Sequence, residues 1–549
     1  MNMSVKGFLS RGHDLLIRGV ARGLQFIPWK LYGRYQQSCQ RAHAEQVLAR
    51  FALTSQEAFR GCVLVDSMWD NPNYWIRYTL LRSALGLAAG REVGVVGPYR
   101  AKVCGRTLER FGIFDVVPMA ASCEDRARHC QEASRLLSQT KTSSDILKWE
   151  LPYGVPADFV YDGILKRQRA ACVDLSDRCL PEYISEALGC ISAAARLLST
   201  HKFDLVVLSH AVNFHFTALA WLAIQRGIPV VLAYGNYGVA RYTKLTQPQD
   251  MYNTTDCPAA TDLIAMSPSQ AKKIAAVGMA YLEKRRTGGT DDIGAQYAYQ
   301  RAKEGVNRAA IVEKFHWEPH RPIIAVYASN WFDFPHYCGM THFRDFLDWM
   351  QATLKVAVDN RQVNWLFKAH PCDEWYGGVT LPDLMPSLEG HDHIKLVPKE
   401  WNGSALLDAV DGIVTYHGTV SVEAAALGKP VLVSDRGWTH DVGFVKWPQS
   451  RDEYLEALAT DWWKDLDLDV TTERARVFAG WYFCRPVWQS GFVLDSDTLQ
   501  GPIYESVPRL FEENGKVLQT ELQTIRDWFH SGGRHYHTYK MARSENYTC

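Results

Sequence analysis

The chain has 549 residues, more than a single hydrophobic core usually organises, so at least two domains are expected. Its 60 Lys and Arg residues balance its 60 Asp and Glu residues, and this zero net charge argues against a broad nucleic-acid-binding surface. Its 13 Cys residues include no C-x-x-C pair. No zinc site is therefore readable, and the scattered thiols are typical of a reducing, cytoplasmic compartment.

The first segment, residues 1–50, is predicted to be a basic amphipathic helical region. Arg11, Arg18 and Arg22 fall on one line of a helical wheel, and the opposite face is apolar. Residues 1–42 hold seven Lys or Arg residues and one acid, Asp14. This pattern favours an interfacial helix on the anionic inner-membrane surface, which would make a cytoplasmic protein peripherally membrane-associated. The alternative is a helix docked on the protein's own core with its basic face in solvent.

From about residue 60, short apolar runs alternate with helical segments. The runs are GCVLVDS, REVGVVGP, FGIFDVVPM, KFDLVVLSH and GIPVVLAYG. Such alternation predicts a parallel sheet with helices on both faces. The uncharged stretch 205–224 is long enough to span a bilayer, but it contains two His and an Asn. A strand, a polar turn and a helix explain it better.

A polar, helix-prone passage at about 270–320 precedes a second series of runs: RPIIAVYAS, VNWLFKAHP, HIKLVP, DGIVTYHG and KPVLVSD. The predicted fold is therefore α/β, with two tandem Rossmann-like domains and a central cleft. We place the first domain at 51–290 and the second at 305–485. Residues 486–549 are expected to form a helical tail without strands.

Polar segments follow the predicted strands of the second domain. They are ASNWFDFPHY (328–337), KAHP (368–371), PKEWNGS (398–404) and YHGT (416–419). Ligands of open parallel sheets bind at the carboxyl ends of strands, so these segments should converge on one rim.

The segment YHGTVSVEAAA reads as a turn that opens into a helix. Gly418 allows a ligand to approach the backbone closely, and the amides of Thr419, Val420 and Ser421 lie at a helix N-terminus, which attracts anions. Glu423 is placed to accept hydrogen bonds from a ribose. Together these residues predict a nucleotide site. The alternative is that Thr419 or Ser421 caps the helix and Glu423 is a favourable first-turn acid.

The segment KAHP adds a cation and an imidazole at a strand end. Lys368 and His370 are two residues apart, so both can point to the same side of the strand. They would bind phosphate and stabilise a departing nucleotide. The alternative is that His370 is structural.

NWLFKAHP, followed by DGIVTYHGTVSVEAAALGKPVLVSDRGWTHDVGF, resembles bacterial surface-polysaccharide glycosyltransferases of the GT-B type. These capsule and lipopolysaccharide transferases include Kdo transferases. The resemblance covers residues 322–445 well and the first domain weakly, through VLVDSMWDNPNYWIRYTLLRSAL and LPYGVPADFVYDGILKRQ. Lys-x-His-Pro also occurs in teichoic-acid polymerases, and sialyltransferases carry a Ser-rich helix start. This chain has His417-Gly418-Thr419 there, so the donor is not carried over.

The resemblance implies a nucleotide-sugar donor in the second domain and a lipid-linked or polysaccharide acceptor in the first. It implies neither a cofactor nor a metal, because helix amides, Lys368 and His370 can meet the phosphate charge. A CMP-linked donor is one candidate. The implied donor-binding residues are Asn330, Asp333, His336, Lys368, His417, Gly418, Thr419, Ser421 and Glu423.

A transferase needs a base or a nucleophile, and the sequence leaves open which it is. Asp70 and Asp162 are the candidate carboxylates, alongside His370 as a catalytic group. Asp70 is equally explained as a turn acid before Asn-Pro, and Asp162 as a helix cap. The candidate acceptor-binding residues are Asp66, His210, Tyr234 and Asn236.

The leading hypothesis is a metal-independent glycosyltransferase that transfers a sugar to a lipid-linked or growing bacterial surface polysaccharide. The first alternative is a CDP-alditol phosphotransferase of the teichoic-acid type, and a second is a nucleotide-sugar epimerase. A third is an inactive glycan-assembly scaffold, which predicts no nucleotide binding.

Overall fold

We describe the fold from a computed structural model. The structure describes residues 38–51, 59–70, 72–87, 90–97, 101–121, 123–233, 241–255, 257–258, 260–289, 295, 299, 304–370, 379–385, 390–483 and 515–537. The basic segment that is predicted to bind a membrane lies almost wholly outside these ranges, so its role stays a prediction.

Twelve strands lie within the described residues and form two sheets. In chain order they are β1 (Val63–Ser67), β2 (Glu92–Val96), β3 (Asp115–Pro118), β4 (Leu205–Leu208), β5 (Val230–Ala233), β6 (Arg241–Leu245), β7 (Ile323–Tyr327), β8 (Asn364–Lys368), β9 (Ile394–Leu396), β10 (Gly412–Thr415), β11 (Val431–Val433) and β12 (His535–His537).

The α-helices of the described residues alternate with these strands. In chain order they are α1 (38–51), α2 (Pro72–Leu85), α3 (Ala101–Arg110), α4 (Cys123–Ser138), α5 (Ser143–Ile146), α6 (Ala157–Gln168), α7 (Leu180–Thr200), α8 (Phe214–Gln225), α9 (Ala260–Ile264), α10 (Pro268–Arg286), α11 (Arg308–Phe315), α12 (Phe346–Asp359), α13 (Leu381–Leu384), α14 (Gly403–Ala409), α15 (Val420–Ala426), α16 (Arg451–Leu458), α17 (Leu468–Phe483) and α18 (Gly515–His530).

The two sheets share one strand order. The parallel part of the first runs β3-β2-β1-β4-β5, and the second runs β9-β8-β7-β10-β11. This is the doubly wound order. The second and third strands are added on one side of the first strand, and the fourth and fifth are added on its other side. The predicted pair of Rossmann-like domains is confirmed. Each sheet therefore has a switch point, where ligands of such folds bind: β1 beside β4, and β7 beside β10.

Apolar cores cover both faces of each sheet, which explains why the strands are nearly continuous apolar runs. Val63 and Val65 pack into one core of the first domain, whereas Leu64 faces the other. In the second domain, Ile323 and Ile324 likewise face opposite cores. The helices that contribute to these four cores hold the carboxyl ends of the strands in fixed positions.

The predicted end of the first domain, at residue 290, is corrected by helix α10. This helix packs against α17, and its Ile274 and Leu282 belong to a core of the second domain. The two helices approach so closely at Gly278 that a Cβ there would lie 2.4 Å from the backbone nitrogen of Gly480. The passage looked polar in the sequence because one side of α10 is solvated. Residues 260–286 belong with the second domain.

The end of the described chain returns to the first domain. Helix α18 packs against α2, and β12 pairs antiparallel with β6 through His535 and Thr243. The predicted helix is present, but the strand was not predicted because HYH is three residues long and carries no apolar run. The edge of the first sheet is thus covered by a segment from the far end of the chain.

The uncharged stretch 205–224 forms strand β4 and most of helix α8, as the sequence predicted. Within the described ranges, no helix combines the length and apolar content that a membrane span requires.

Candidate active site

The carboxyl edge of the second sheet gathers Lys368, His370, His417 and Asp333. Burial lowers the pKa of both His370 and His417 to about 4, and the charge of Asp333 opposes that shift at both rings. Lys368 lowers the pKa of His370 further. These groups therefore lie within electrostatic reach of one another, as the sequence predicted for this rim. Both imidazoles are neutral at neutral pH, so each ring carries one N–H.

The loop after β7 brings first-domain residues to this rim. Lys166 on α6 donates to the Asp333 carboxylate at 2.9 Å. The same ammonium group lies over the rings of Phe332 and Phe334, 5.3 and 5.2 Å from their centres. Asn330 closes the turn by accepting the amide of Asp333 at its carbonyl. The loop that is predicted to face the donor is thus held by a helix of the other domain.

Asp162, also on α6, anchors the next part of the loop. One carboxylate oxygen accepts the His336 ring Nδ1–H at 2.7 Å, and the other accepts the amides of His336 and Tyr337 at 3.0 and 3.1 Å. Burial alone would lower the pKa of His336, but the charge and hydrogen bond of Asp162, together with the charges of Asp158 and Asp345, outweigh it and the pKa is raised. Asp162 therefore joins the two domains, a position that neither the helix-cap nor the catalytic interpretation anticipated.

The turn after β10 is tightly packed. A Cβ on Gly418 would lie 3.1 Å from Thr415 Oγ1, so the glycine suits the close backbone. Ser421 does not offer its amide to an anion, contrary to expectation, because both its amide and its hydroxyl donate to the Gly418 carbonyl, at 3.0 and 2.8 Å. Thr419 is the N-cap of α15, and its hydroxyl accepts a bond from Arg285 at 3.4 Å.

Glu423 is buried and has two partners. Arg285 Nε donates to one carboxylate oxygen at 2.6 Å, and the Tyr299 hydroxyl donates to the other. A ribose could bind Glu423 only by displacing one of these donors. Arg285 was not predicted, because the residue comes from the polar segment before the second sheet. The ribose-binding role of Glu423 stays a prediction.

The first-sheet switch point holds Asp66, Ser209 and His210. One oxygen of Asp66 accepts the Met68 amide at 2.7 Å, and the other accepts the Ser209 amide at 2.9 Å and its hydroxyl at 2.5 Å. The Ser209 oxygen lies 2.9 Å from His210 Nδ1. Asp66 and His210, two predicted acceptor residues, are thus joined through a serine that the sequence analysis did not select. Its only signal was its place beside His210 at a strand end.

The other predicted catalytic carboxylate lies elsewhere. Asp70 forms an ion pair with Arg41 of α1, with its Oδ1 2.6 Å from Nη2. Arg41 also pairs with Glu45, so Asp70 belongs to a network under α1. Tyr234 and Asn236 lie outside the described residues. Within the described ranges no group of three or more His, Cys, Asp or Glu side chains is placed to hold a metal ion. The metal independence of the chemistry stays a prediction.

No family model and no curated protein sequence matches the chain. Among solved structures, a KpsC protein of Thermosulfurimonas dismutans described as a beta Kdo 2,4 transferase is 14% identical, with a TM-score of 0.32, over 47% of this chain and 79% of that chain.

Two other solved structures are similar over more of the chain. A glycosyltransferase of Rickettsia africae ESF-5 is 9% identical, with a TM-score of 0.26, over 85% of this chain and 100% of that one. A UDP-GlcNAc 2-epimerase of Neisseria meningitidis is 13% identical, with a TM-score of 0.23, over 83% and 99% of the two chains. These likenesses are too low to assign an activity, so we base the functional proposal on the chain's own residues.

Proposed function

We propose that the protein is a glycosyltransferase that moves a sugar from a nucleotide-activated donor to a lipid-linked or growing bacterial surface polysaccharide. The observation that carries this proposal is the cluster of Lys368, His370, His417 and Asp333 at the carboxyl edge of a doubly wound sheet. A cation and two neutral imidazoles in a partly desolvated site suit a diphosphate or a phosphodiester.

The second domain would bind the donor. Lys368 would pair with a phosphate oxygen, and the N–H groups of His370 and His417 would donate to the oxygen that gains charge as the glycosidic bond breaks. Donors fixed in place before the reaction stabilise such charge better than water does. Asp333 and Asn330 would face the donor sugar, in a loop that α6 already holds in place.

The acceptor would reach this site from the first domain, whose own switch point opens at the ends of β1 and β4. A lipid-linked or polysaccharide acceptor is proposed from the resemblance to surface-polysaccharide transferases and from the basic character of residues 1–42. A basic segment would hold the enzyme at the inner-membrane surface, where such acceptors are made.

Donor binding is tested by thermal-shift titration of the purified protein with CMP, CDP, UDP, GDP and dTDP. A ligand that binds only the native state raises the melting temperature. Stabilisation by CMP indicates a Kdo-like or sialic-acid-like donor, by CDP an alditol-phosphate donor, and by the other three a hexose donor. No shift with any nucleotide, with or without magnesium, would contradict the proposal.

A lysine pair localises the site. Lys368→Ala removes a charged donor to phosphate, worth about 1.5–3 kcal/mol, so the Kd of the nucleotide should rise about tenfold to a hundredfold. Lys395→Ala is the control, because Lys395 lies on the neighbouring strand β9 and pairs with Asp392. Equal affinities of the two variants would move the donor site away from this rim.

A further inference from the structure

His210 presents one ring nitrogen that is not engaged by the protein. Its Nδ1 contacts Ser209, and its Nε2 has no hydrogen-bond partner among the residues that the structure describes. The ring packs against Trp69 at 4.9 Å and against Phe216 at 5.6 Å between centres. The imidazole is thus held from its sides while Nε2 is left to meet a ligand.

The hydrogen bonds fix which nitrogen carries the proton. An ionised Asp66 only accepts, so the single hydroxyl proton of Ser209 must point to Asp66. The Ser209 oxygen then has only lone pairs to offer His210, and Nδ1 must be the protonated nitrogen. Nε2 is therefore unprotonated in the neutral ring and can accept a proton.

The surroundings of His210 suit a sugar. Trp69 is 48% exposed although it is one of the largest apolar side chains, and it flanks the His210 ring. An exposed aromatic face beside a polar group is a platform on which a pyranose ring can stack. The loop that follows is strained, because Asn213 has φ 70° and ψ 154°, a region that is otherwise almost confined to glycine.

The two carboxylates that the sequence proposed for this step are engaged elsewhere. Asp70 is paired with Arg41, and Asp162 accepts three hydrogen bonds from the loop of the other domain. A base must reach the proton it removes, and neither position leaves its carboxylate directed to an acceptor. His210 has the open nitrogen that they lack.

We infer that His210 is the general base of the transfer reaction, that Trp69 binds the acceptor sugar, and that Asp66 acts through Ser209 as a positioning residue. This inference rests on the proposed function. Nε2 takes the proton of an acceptor hydroxyl while that oxygen bonds to the anomeric carbon of the donor sugar. The bond from that carbon to the phosphate oxygen breaks, and its electron pair leaves with the nucleotide. The imidazolium then returns its proton to water.

Helix α6 contacts elements of both switch points. Phe214, four residues after His210, packs so tightly on α6 that a Cβ at Gly163 would lie 2.2 Å from its ring. On the same helix Asp162 and Lys166 hold the loop that carries His336 and Asp333. Both switch points are therefore built against one helix. Burial lowers the pKa of His210 to about 4, which keeps Nε2 unprotonated at neutral pH.

The role of His210 is tested with the nucleotide sugar whose nucleotide stabilises the wild-type protein, using water or glycerol as the accepting hydroxyl. His210→Ala should lower kcat for nucleotide release about 10²–10⁴-fold, leave KM for the donor within about threefold, and recover in part with added imidazole. His201→Gln is the control, because His201 precedes the amino end of β4 while His210 follows its carboxyl end. Equal kcat values for His210→Ala and His201→Gln would overturn the inference.

Asp66 and Ser209 are tested as positioning residues. Asp66→Asn places an amide N–H against the Ser209 oxygen, which turns the Ser209 proton toward Nδ1 and moves the ring proton to Nε2. Its kcat should fall about 10²-fold or more without loss of nucleotide binding. Ser209→Ala should lower kcat about tenfold or more, and Ser209→Thr should restore most of that kcat. The control is Ser83→Ala, since the buried Ser83 hydroxyl has no partner among the described residues.

A measurement without substrate separates this inference from the proposed function. In ¹⁵N-histidine-labelled protein at pH 7.5, assigned by its loss in His210→Asn, His210 should show a protonated Nδ1 and an unprotonated Nε2, and Asp66→Asn should reverse them. A wild-type ring protonated at Nε2 would overturn the inference even if the protein binds nucleotides. If the protein shows this tautomer but binds no nucleotide, the proposed function is contradicted and the inference about the His210 ring proton is not.

Discussion

The two switch points are built in opposite ways. At the first sheet, Asp66, Ser209 and the backbone of β1 and β4 form a hydrogen-bonded unit inside one domain. At the second sheet, the loop that completes the site is held from outside, by Lys166 and Asp162 of the first domain. The first site is therefore complete when its own domain folds. The second depends on the domains meeting, so changes at their contact should affect donor binding and spare the His210 unit.

The largest effect should come from the buried contact between the domains, in which Asp162 accepts hydrogen bonds from His336 and Tyr337. Asp162→Ala leaves His336 and two amides without their acceptor, so the free energy of unfolding should fall by about 3–5 kcal/mol. Chemical denaturation measures this change, and Asp162→Asn, which keeps one accepting oxygen, should lie between it and the wild type. If the domains are instead held mainly elsewhere, both variants would be as stable as the wild type.

The next effect should come from a donor-side histidine. His370→Ala removes the N–H that we propose donates to the leaving phosphate, so kcat should fall about 10²–10³-fold. Unlike His210→Ala, it should also weaken the nucleotide-induced thermal shift. Full nucleotide binding and full kcat in His370→Ala would contradict the assignment of His370 to the donor site.

A smaller effect is expected from pH. Burial raises the pKa of Asp66 to about 6, so below that pH the carboxyl carries a proton and can donate to Ser209. The serine then donates to His210 Nδ1, and Nε2 loses its lone pair. The other titratable groups facing Asp66 are Tyr74 and Cys104, which stay neutral because burial raises their pKa values.

We therefore expect kcat to fall about tenfold between pH 7 and pH 5, with a midpoint near pH 6. The melting temperature measured at each pH controls for unfolding. In Asp66→Asn this acid limb should disappear, and a limb that persists there would assign the titration to another group.

The smallest effect should come from the outer contact between the domains. Lys166 and Asp333 form a pair in which the Asp333 side chain is 55% exposed, so solvent screens it and it is worth about 0–1 kcal/mol. Lys166→Met should change the melting temperature by less than about 3 °C while raising the Kd of the nucleotide no more than about threefold. A loss of stability as large as that of Asp162→Ala would show that the exposed pair, not the buried Asp162 contact, holds the two domains together.

The second-sheet site was predictable because its residues lie in short stretches. KAHP and YHGT each place their polar side chains directly after an apolar strand, and parallel strands bring such ends together. The two parallel sheets followed from the alternation of apolar runs with helices. The positions of Lys368, His370 and His417 thus needed only local patterns and a rule about sheets.

The rest depended on contacts between distant parts of the chain. Asp66 and Ser209 are 143 residues apart, and Arg285 reaches Glu423 across 138 residues. Asp162 looked like a helix cap because its partners, the amides of His336 and Tyr337, lie in the other domain. Nothing within a few residues of these side chains reports a partner so far away, so their roles appear only once the sheets are assembled.

The two sites are proposed to have separate roles, donor binding at the second sheet and proton removal at the first, and one titration tests this most directly. The nucleotide that stabilises the wild-type protein is titrated into wild type, His210→Ala and His370→Ala, with melting temperature as the readout. The account predicts an unchanged shift for His210→Ala and a shift reduced by half or more for His370→Ala. Equal loss in both variants, or a loss confined to His210→Ala, would contradict it.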